Sequence, residues 1–425
     1  MTKISDIKAR EIIDSRGNPT LECDIFFDNN SFGRSSVPSG ASKGKHEALE
    51  LRDGEKNRYN GKGVLKAVSN ILDILKPNLL DKEFLNIEDF DNFIIKLEGS
   101  KNKSNLGANT TLALSLAFSR CLANHSKMQL FELLSVEDNF TLPVPMMNII
   151  NGGAHADNNI DIQEFMIMPV SAESFSETVR YGSEIFQSLK SNLKSLGYNT
   201  NVGDEGGFAP NLNSNHQAID LILESILVTG LKPEKDIYLS MDFAANEFFK
   251  NGKYELSSEN KIFTSDQMVD YVFELVKNYP IFSIEDALSE DDWDGWKILT
   301  QKLKNKVQIV GDDLFVTNIE RLKKGINNNI ANSILVKLNQ IGTLSETLAI
   351  INTAKENNYS SVISHRSGET EDTFIADLAV ATSAGQIKTG SLSRSDRTSK
   401  YNQLIRIEEM LGKKAKFSGK TILKD

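Results

Sequence analysis

From Leu142 onward the chain repeats one pattern, and that pattern constrains the fold more than any other feature. Short apolar runs alternate with helical stretches: PVPMMNII, EFMIMPV, IYLSMDF, PIFSIED, VQIVGDD, SILVKLN, SSVISH and GQIK. Helix-like segments such as ESFSETVRYGSEIFQSLKSNLKSL and TLSETLAIINTAKENN separate most of them. Strand–helix alternation over roughly 280 residues fits a β/α barrel, which needs about 250. A doubly wound sheet is the competing arrangement, but no GxGxxG follows a strand, so the barrel is favoured.

The region ahead of Leu142 has another rhythm. Residues 4–37 carry β-type runs, LECDIFF and SFGRSSV, around the turn signal RGNP. From about Glu47 to Leu134 apolar residues recur at helical spacing, as in ILDILKPNLL, DNFIIKLEG and TLALSLAFSRCLANHS. The fold class expected is therefore α/β. An N-terminal α+β domain at 1–134, an antiparallel meander plus helices, precedes a TIM-type β/α barrel at 135–425.

The ends of the barrel strands carry the chemistry. IYLSMD ends at Asp242, IFSIED brings Glu285 and Asp286, and QIVGDD brings Asp312 and Asp313. ILVK ends at Lys337, SVISHRS brings His365, Arg366 and Ser367, and GQIK ends at Lys388. Glu285, Asp312, Lys337, His365 and Lys388 follow one another at intervals of 27, 25, 28 and 23 residues, about one strand–helix unit each. Such side chains converge on the C-terminal mouth of one barrel. A single charge there can be a solvated cap; a succession with acids first and bases later is harder to read that way.

Three carboxylates from neighbouring strands make a hard-oxygen pocket suited to Mg²⁺ and an anionic substrate. Zinc would ask for His or Cys, and the five histidines are scattered. Burial beside a divalent cation disfavours an ammonium, which makes Lys337 a candidate general base. The 48 Lys+Arg against 58 Asp+Glu leave a formal charge of −10, which disfavours wholesale binding to nucleic acid or anionic membrane. With no long apolar run and no secretory signal, the expected location is the cytoplasm. Cys23 and Cys121 have no metal or redox spacing and are expected to be buried small hydrophobes.

These residues lie in stretches that together resemble the enolase family: SVPSGAS (36–42), HEALELRDG (46–54), NGGAHADNN (151–159), QEFMIMP (163–169) and VGDEGGFAPN (202–211). The likeness continues through SIEDALSEDDWDGW (283–296), GDDLFVTN (311–318), VKLNQIGT (336–343), SHRSGETEDTFIADLAV (364–380), GQIKTG (385–390) and NQLIRIEE (402–409). The resemblance implies reversible dehydration of 2-phospho-D-glycerate to phosphoenolpyruvate through a metal-stabilised enediolate, with two Mg²⁺ per active site. It implies Asp242, Glu285 and Asp312 as ligands of the first ion, and Ser39, on a lid loop, as a ligand of the second. Lys337 becomes the base for the C2 proton and Glu205 the acid for the departing C3 hydroxyl. Such an acid needs a raised pKa, with Glu164 as its like-charged neighbour.

By the same resemblance Arg366 and Ser367 contact phosphate, the guanidinium bidentately. His155, Gln163, Glu164, His365 and Lys388 contact substrate; His155 and Glu164 also join the catalytic set, and Asp313 tunes Lys337. Spacing alone reads Glu205 as a solvated acid in a Gly-rich turn, PSGAS as an ordinary turn, and His155 as a locally satisfied loop histidine. His46, His125 and His216 are expected at the surface, and Trp293 and Trp296 in packing. The chain departs from the family at Lys43, where Thr is expected, and at SLSRSDR after Lys388. A homodimer or octamer is implied, as is a glycolytic role. The competing readings are a surface receptor or an RNA-decay scaffold with secondary protein partners, at the cell surface or secreted without a signal peptide. Receptor roles can involve a C-terminal lysine, and this sequence ends in Asp425.

Overall fold

A computed structural model describes residues 2–41, 44–135, 139–303 and 306–423. Lys43 and Asp425, singled out above, lie outside the described residues. In the RGNP turn, the Asp14 carboxylate accepts the amides of Arg16 and Asn18 at 2.9 and 2.8 Å. The turn joins β1 (Ile4–Ile13) to β2 (Pro19–Phe27), and β3 (Phe32–Ser36) completes an antiparallel sheet. Helices α1 (Leu65–Ser69), α2 (Lys76–Leu79), α3 (Ile87–Glu98), α4 (Ala108–Ser126) and α5 (Leu130–Leu134) follow. A π-turn over Asn70–Leu75 joins α1 to α2, where Pro77 offers no N–H to the regular helical ladder. The long apolar α4 packs on the sheet at Gly33, where a Cβ would stand 2.1 Å from the Ala117 carbonyl oxygen.

The helical reading of 47–64 is not borne out. That segment is irregular, with turns and one 3₁₀ turn at Tyr59–Gly61, because its first amides bond groups outside it and the rest close a local loop, Asp53 to Gly63 and Gly54 to Gly61. Ala48 donates to the Gln340 carbonyl and Leu49 to that of Asn102, both outside the segment. The Asp53 carboxylate accepts the amides of Leu65 and Lys66 and so starts α1.

The second half begins with β4 (Thr141–Leu142), β5 (Val144–Asn151) and β6 (Glu164–Pro169), followed by α6 (Phe175–Ser195) and α7 (Asn215–Val228). Then come β7 (Ile237–Asp242) and a small antiparallel sheet of β8 (Phe249–Lys250), β9 (Lys253–Leu256) and β10 (Lys261–Phe263). Alternation resumes with α8 (Ser265–Asn278), β11 (Ile281–Glu285), α9 (Trp293–Leu303), β12 (Gln308–Gly311), α10 (Ile319–Asn328) and β13 (Ser333–Val336). It ends with α11 (Leu344–Glu356), β14 (Ser360–Ser364), α12 (Phe374–Ala381), β15 (Gly385–Lys388), α13 (Ser395–Leu411) and β16 (Lys416–Phe417), which pairs with β4.

Strands β5, β6, β7, β11, β12, β13, β14 and β15 close into one barrel, as the alternation predicts. One strand departs from the uniformly parallel design of such barrels. β6 is antiparallel to both neighbours, because the link from β5 holds only a 3₁₀ turn at Gly153–His155 and no helix to return the chain. The reversal brings the first residue of β6, Glu164, level with the last of β7, Asp242. Met146, Met166, Met168, Val310, Leu335 and Val362 fill the barrel interior, each worth roughly 1.5–3 kcal/mol of burial.

The residues expected to be ordinary are so. Cys23, Cys121 and Trp296 are buried, and the Trp296 indole donates to the Ser289 carbonyl at 3.1 Å. Trp293 is half-buried beneath Lys324 and Arg321. His46 is exposed; His125 and His216 are half-buried, against Asn29 at 2.8 Å and Tyr279 at 3.0 Å.

An ion pair ties the two halves together. Arg120 on α4 grips Asp372 at 2.5 and 2.8 Å, and the same carboxylate accepts the Ser36 amide and the Ser35 hydroxyl. Burial works against the Asp372 charge, but Arg120 outweighs it and holds the pKa below the ordinary value. Arg120→Ala is expected to cost about 2–3 kcal/mol at neutral pH, since it strands a carboxylate. A depressed pKa contributes stability above the unfolded value near 4, and that contribution is lost as pH falls through the folded one. The gap between variant and wild type in urea midpoint should therefore close in acid. Equal midpoints at neutral pH would contradict the assignment.

Candidate active site

The strand ends meet at the barrel mouth. His155, Gln163, Glu164, Glu205, Asp242, Asp312, Lys337, His365, Arg366, Ser367 and Lys388 line one cavity with Ala41 and Ser364. Glu285 lies directly beneath, fully buried. A larger cleft of about 310 Å³, beside Tyr238, Phe273 and Phe282, opens at the strands' N-terminal ends, the face that serves stability in this architecture.

Lysines join the acids. The Lys388 ammonium lies 2.9 Å from Asp242, 2.9 Å from both oxygens of Glu285 and 3.0 Å from Glu164. The Lys337 ammonium bonds Asp312, whose other oxygen accepts from Gln340 at 3.0 Å. The expected triad of Asp242, Glu285 and Asp312 thus faces ammonium groups rather than one common point. Among the described residues, the acid and His atoms that lie within 4.8 Å of one another are His155–Glu164–Glu205 and Asp286–Asp312–Asp313. Asp286 braces the backbone here, since with φ 43 it turns its carboxylate onto the amides of Asp312 and Asp313.

Negative charge is nevertheless in excess. Burial and then Asp242 push the Glu285 pKa well up; burial and then Glu205 do the same for Glu164. Burial and Asp313 raise Asp286, and burial and Asp312 raise Asp313 to about 7. Fixed cations do not neutralise these oxygens, so the donor set fits a hard divalent cation.

Without a cation in the site, charge is distributed differently. Burial disfavours the Lys337 ammonium, but the acids around it, Asp312 first, outweigh burial and hold its pKa above the ordinary lysine value. Lys337 is protonated as it stands, because its partner is an acid. In the Glu205–Glu164 pair, Glu164 is the one raised. Glu205 is lowered despite burial, because His365 and His155 face it at 3.2 and 3.6 Å. The two carboxyls titrate as one coupled pair. Burial brings His365 down to about 3 and lowers His155.

Ser39 does not line the cavity. Its backbone pairs with Gly368 at 2.8 Å in both directions, and its hydroxyl accepts from Arg52 at 2.9 Å. It anchors the base of this loop, while Ala41 reaches the cavity and donates its amide to the Ser367 hydroxyl at 2.7 Å. Ser42, the other serine of PSGAS, lies outside the described residues. Gln163 donates to Asp242 at 3.3 Å and keeps a buried oxygen without a bonded partner in the structure.

The Glu205 loop is held from two sides. The Ser391 amide donates to the Glu205 carbonyl at 2.9 Å and the Ser393 hydroxyl to that of Gly206 at 2.6 Å, so the divergent SLSRSDR segment still serves the site. Asn148, inside β5, donates to Glu164 at 2.9 Å and to Glu205 at 3.2 Å. Sequence reasoning missed it, although an amide within the apolar run PVPMMNII was a signal. Glu47 was missed too: it accepts from Arg366 at 3.1 and 3.2 Å, beside Asn339 at 2.9 Å. Val316 and Thr317 take left-handed φ of 44 and 47, a strain β-branched residues rarely bear, and the Thr317 hydroxyl accepts the Lys337 amide at 3.0 Å.

Comparison with known families places both halves. Residues 4–134 match the family described as "Enolase, N-terminal domain", and residues 139–425 match "Enolase, C-terminal TIM barrel domain". No helix among the described residues is long and apolar enough to cross a membrane.

Proposed function

The chain belongs to the enolase family and is an enolase-like lyase, and on that premise we propose that it interconverts 2-phospho-D-glycerate and phosphoenolpyruvate. One observation carries the reading: a single cavity sets Lys337 and the acids Asp242 and Asp312 beside the carboxyls of Glu164 and Glu205. The C2 proton lies next to a carboxylate, and its removal doubles the negative charge there. Asp242, Glu285 and Asp312 are the residues that would hold Mg²⁺, which when bound supplies positive charge toward that carboxylate. Ser39 would hold a second ion, its hydroxyl turning from Arg52.

Lys337 takes the C2 proton. Its ammonium is held chiefly by Asp312; with Asp312 and Glu285 committed to a cation, burial and the nearby charges of Arg366 and Lys388 favour the neutral amine. Lys388 keeps its own ammonium toward the substrate carboxylate. Glu205 delivers a proton to the C3 hydroxyl as that group leaves, after a proton passes to it from Glu164. Arg366 and Ser367 hold the phosphate, with Arg366 turning from Glu47. His155 and Gln163 orient the substrate. A glycolytic, cytoplasmic homodimer completes the reading; light scattering should give twice the 47.3 kDa of the chain, or eight times for an octamer, and a monomer would contradict it.

The direct test is phosphoenolpyruvate absorbance. We expect formation from 2-phospho-D-glycerate with Mg²⁺, loss with chelator and recovery on adding Mg²⁺ back. Turnover of an unphosphorylated acid instead would overturn the substrate.

A further inference from the structure

Arg397 opens helix α13 and is fully buried, in a segment where no local pattern hinted at a role in the site. Its guanidinium reaches three parts of the cavity wall. Nη1 stands 2.6 Å from His365 Nδ1 and 2.6 Å from the Arg366 carbonyl oxygen. Nη2 donates to the carbonyls of Ser367 at 2.6 Å and Asp204 at 3.1 Å, and Nε faces the Asp396 carboxylate at 2.8 Å.

A guanidinium has donors only. His365 Nδ1 must therefore accept, and the proton of the neutral ring sits on Nε2. That nitrogen faces Glu205 Oε1 at 3.2 Å, within reach but out of line for a hydrogen bond in this structure. The opposite tautomer would set one N–H against another. The same guanidinium holds the carbonyl of Asp204, the residue before Glu205, so one group registers both the imidazole and the acid it faces. We propose that Arg397 is a positioning residue: it selects the Nε2–H tautomer of His365, which then donates to Glu205 and aims that carboxyl at the leaving hydroxyl. The catalytic consequence rests on the proposed reaction; the tautomer does not. Holding an imidazole in the right tautomer through its other nitrogen is how buried partners act in other acid–base sites.

The test is long-range ¹H–¹⁵N correlation of the histidine rings in the full-length protein at neutral pH. Wild type should show His365 Nδ1 unprotonated and Nε2 protonated. In Arg397→Met the signals should move toward a mixture of tautomers, and Arg397→Lys should restore the wild-type pattern. Phosphoenolpyruvate formation should fall by about 10²-fold in Arg397→Met, with the loss on elimination rather than on exchange of the C2 proton, and Arg397→Lys should recover much of it. A residue that merely holds the fold would lower both steps together. A wild-type proton on Nδ1 overturns the proposal, and so does a parallel loss of exchange and elimination. Should Arg397→Met fail to fold, the wild-type spectrum decides. A wild type that makes no phosphoenolpyruvate sinks the reaction reading alone, since the spectrum is independent of it.

Discussion

Lys337→Ala should abolish exchange of the C2 proton of 2-phospho-D-glycerate with solvent. The expected loss is about 10⁴-fold, the upper end for a general base and about 5 kcal/mol of barrier. Substrate should still bind with Mg²⁺, because Arg366, Ser367 and Lys388 remain. The substitution also removes the ammonium that Asp312 bonds. Breaking a largely buried pair costs about 3–5 kcal/mol, so the metal-free variant should melt earlier than wild type, and Mg²⁺ should raise its midpoint by more. Deuterium incorporation followed by NMR measures the exchange. Wild-type-like incorporation would remove Lys337 as the base.

Glu205→Gln should separate the two halves of the reaction. Exchange at C2 should persist, since it needs only Lys337, while phosphoenolpyruvate formation falls by about 10²–10⁴-fold, because an amide cannot release a proton to the leaving hydroxyl. Glutamine keeps the carboxyl's shape and can still accept from Asn148. The change has a second signature. Glu205 is the largest cause after burial that raises the Glu164 pKa. A raised carboxyl pKa means stability falls as pH climbs from the unfolded value near 4.3 through the folded one. Removing the neighbouring charge weakens that fall, while losing Glu205's own lowered pKa removes stability at neutral pH, so the clean readout is the Glu164 carboxyl, whose ¹³C titration should move back toward the ordinary range. Unchanged dehydration would refute the assignment of the acid.

Much of the architecture was legible because it rests on local patterning. Eight apolar runs, the last five about one strand–helix unit apart, need burial on both faces, and a closed barrel supplies it. Their terminal residues therefore had to share a mouth, which is why Asp242, Glu285, Asp312, Lys337, Arg366 and Lys388 were found by counting along the chain. The misreading of 47–64 has a matching cause. Its apolar spacing was helical, but its backbone groups bond Gln340 and Asn102, contacts that no local pattern reports. Glu164 opens a reversed strand rather than ending a forward one, so only the family likeness found it. Asn148 and Glu47 act on partners 16 or more residues away in sequence, and their own neighbours in the chain say nothing of it.

Residue types and their order thus settle which strands exist, which side chains reach the mouth and which hard-oxygen chemistry they suit, because hydrophobic period and ligand chemistry are properties of short segments. Protonation is of another kind. Whether Lys337 carries a charge, which of Glu164 and Glu205 has the raised pKa, and which nitrogen of His365 is bare depend on atoms a few ångströms away that come from distant parts of the chain. Electrostatic energies at such separations change steeply with distance and burial, so folding in three dimensions had to set them.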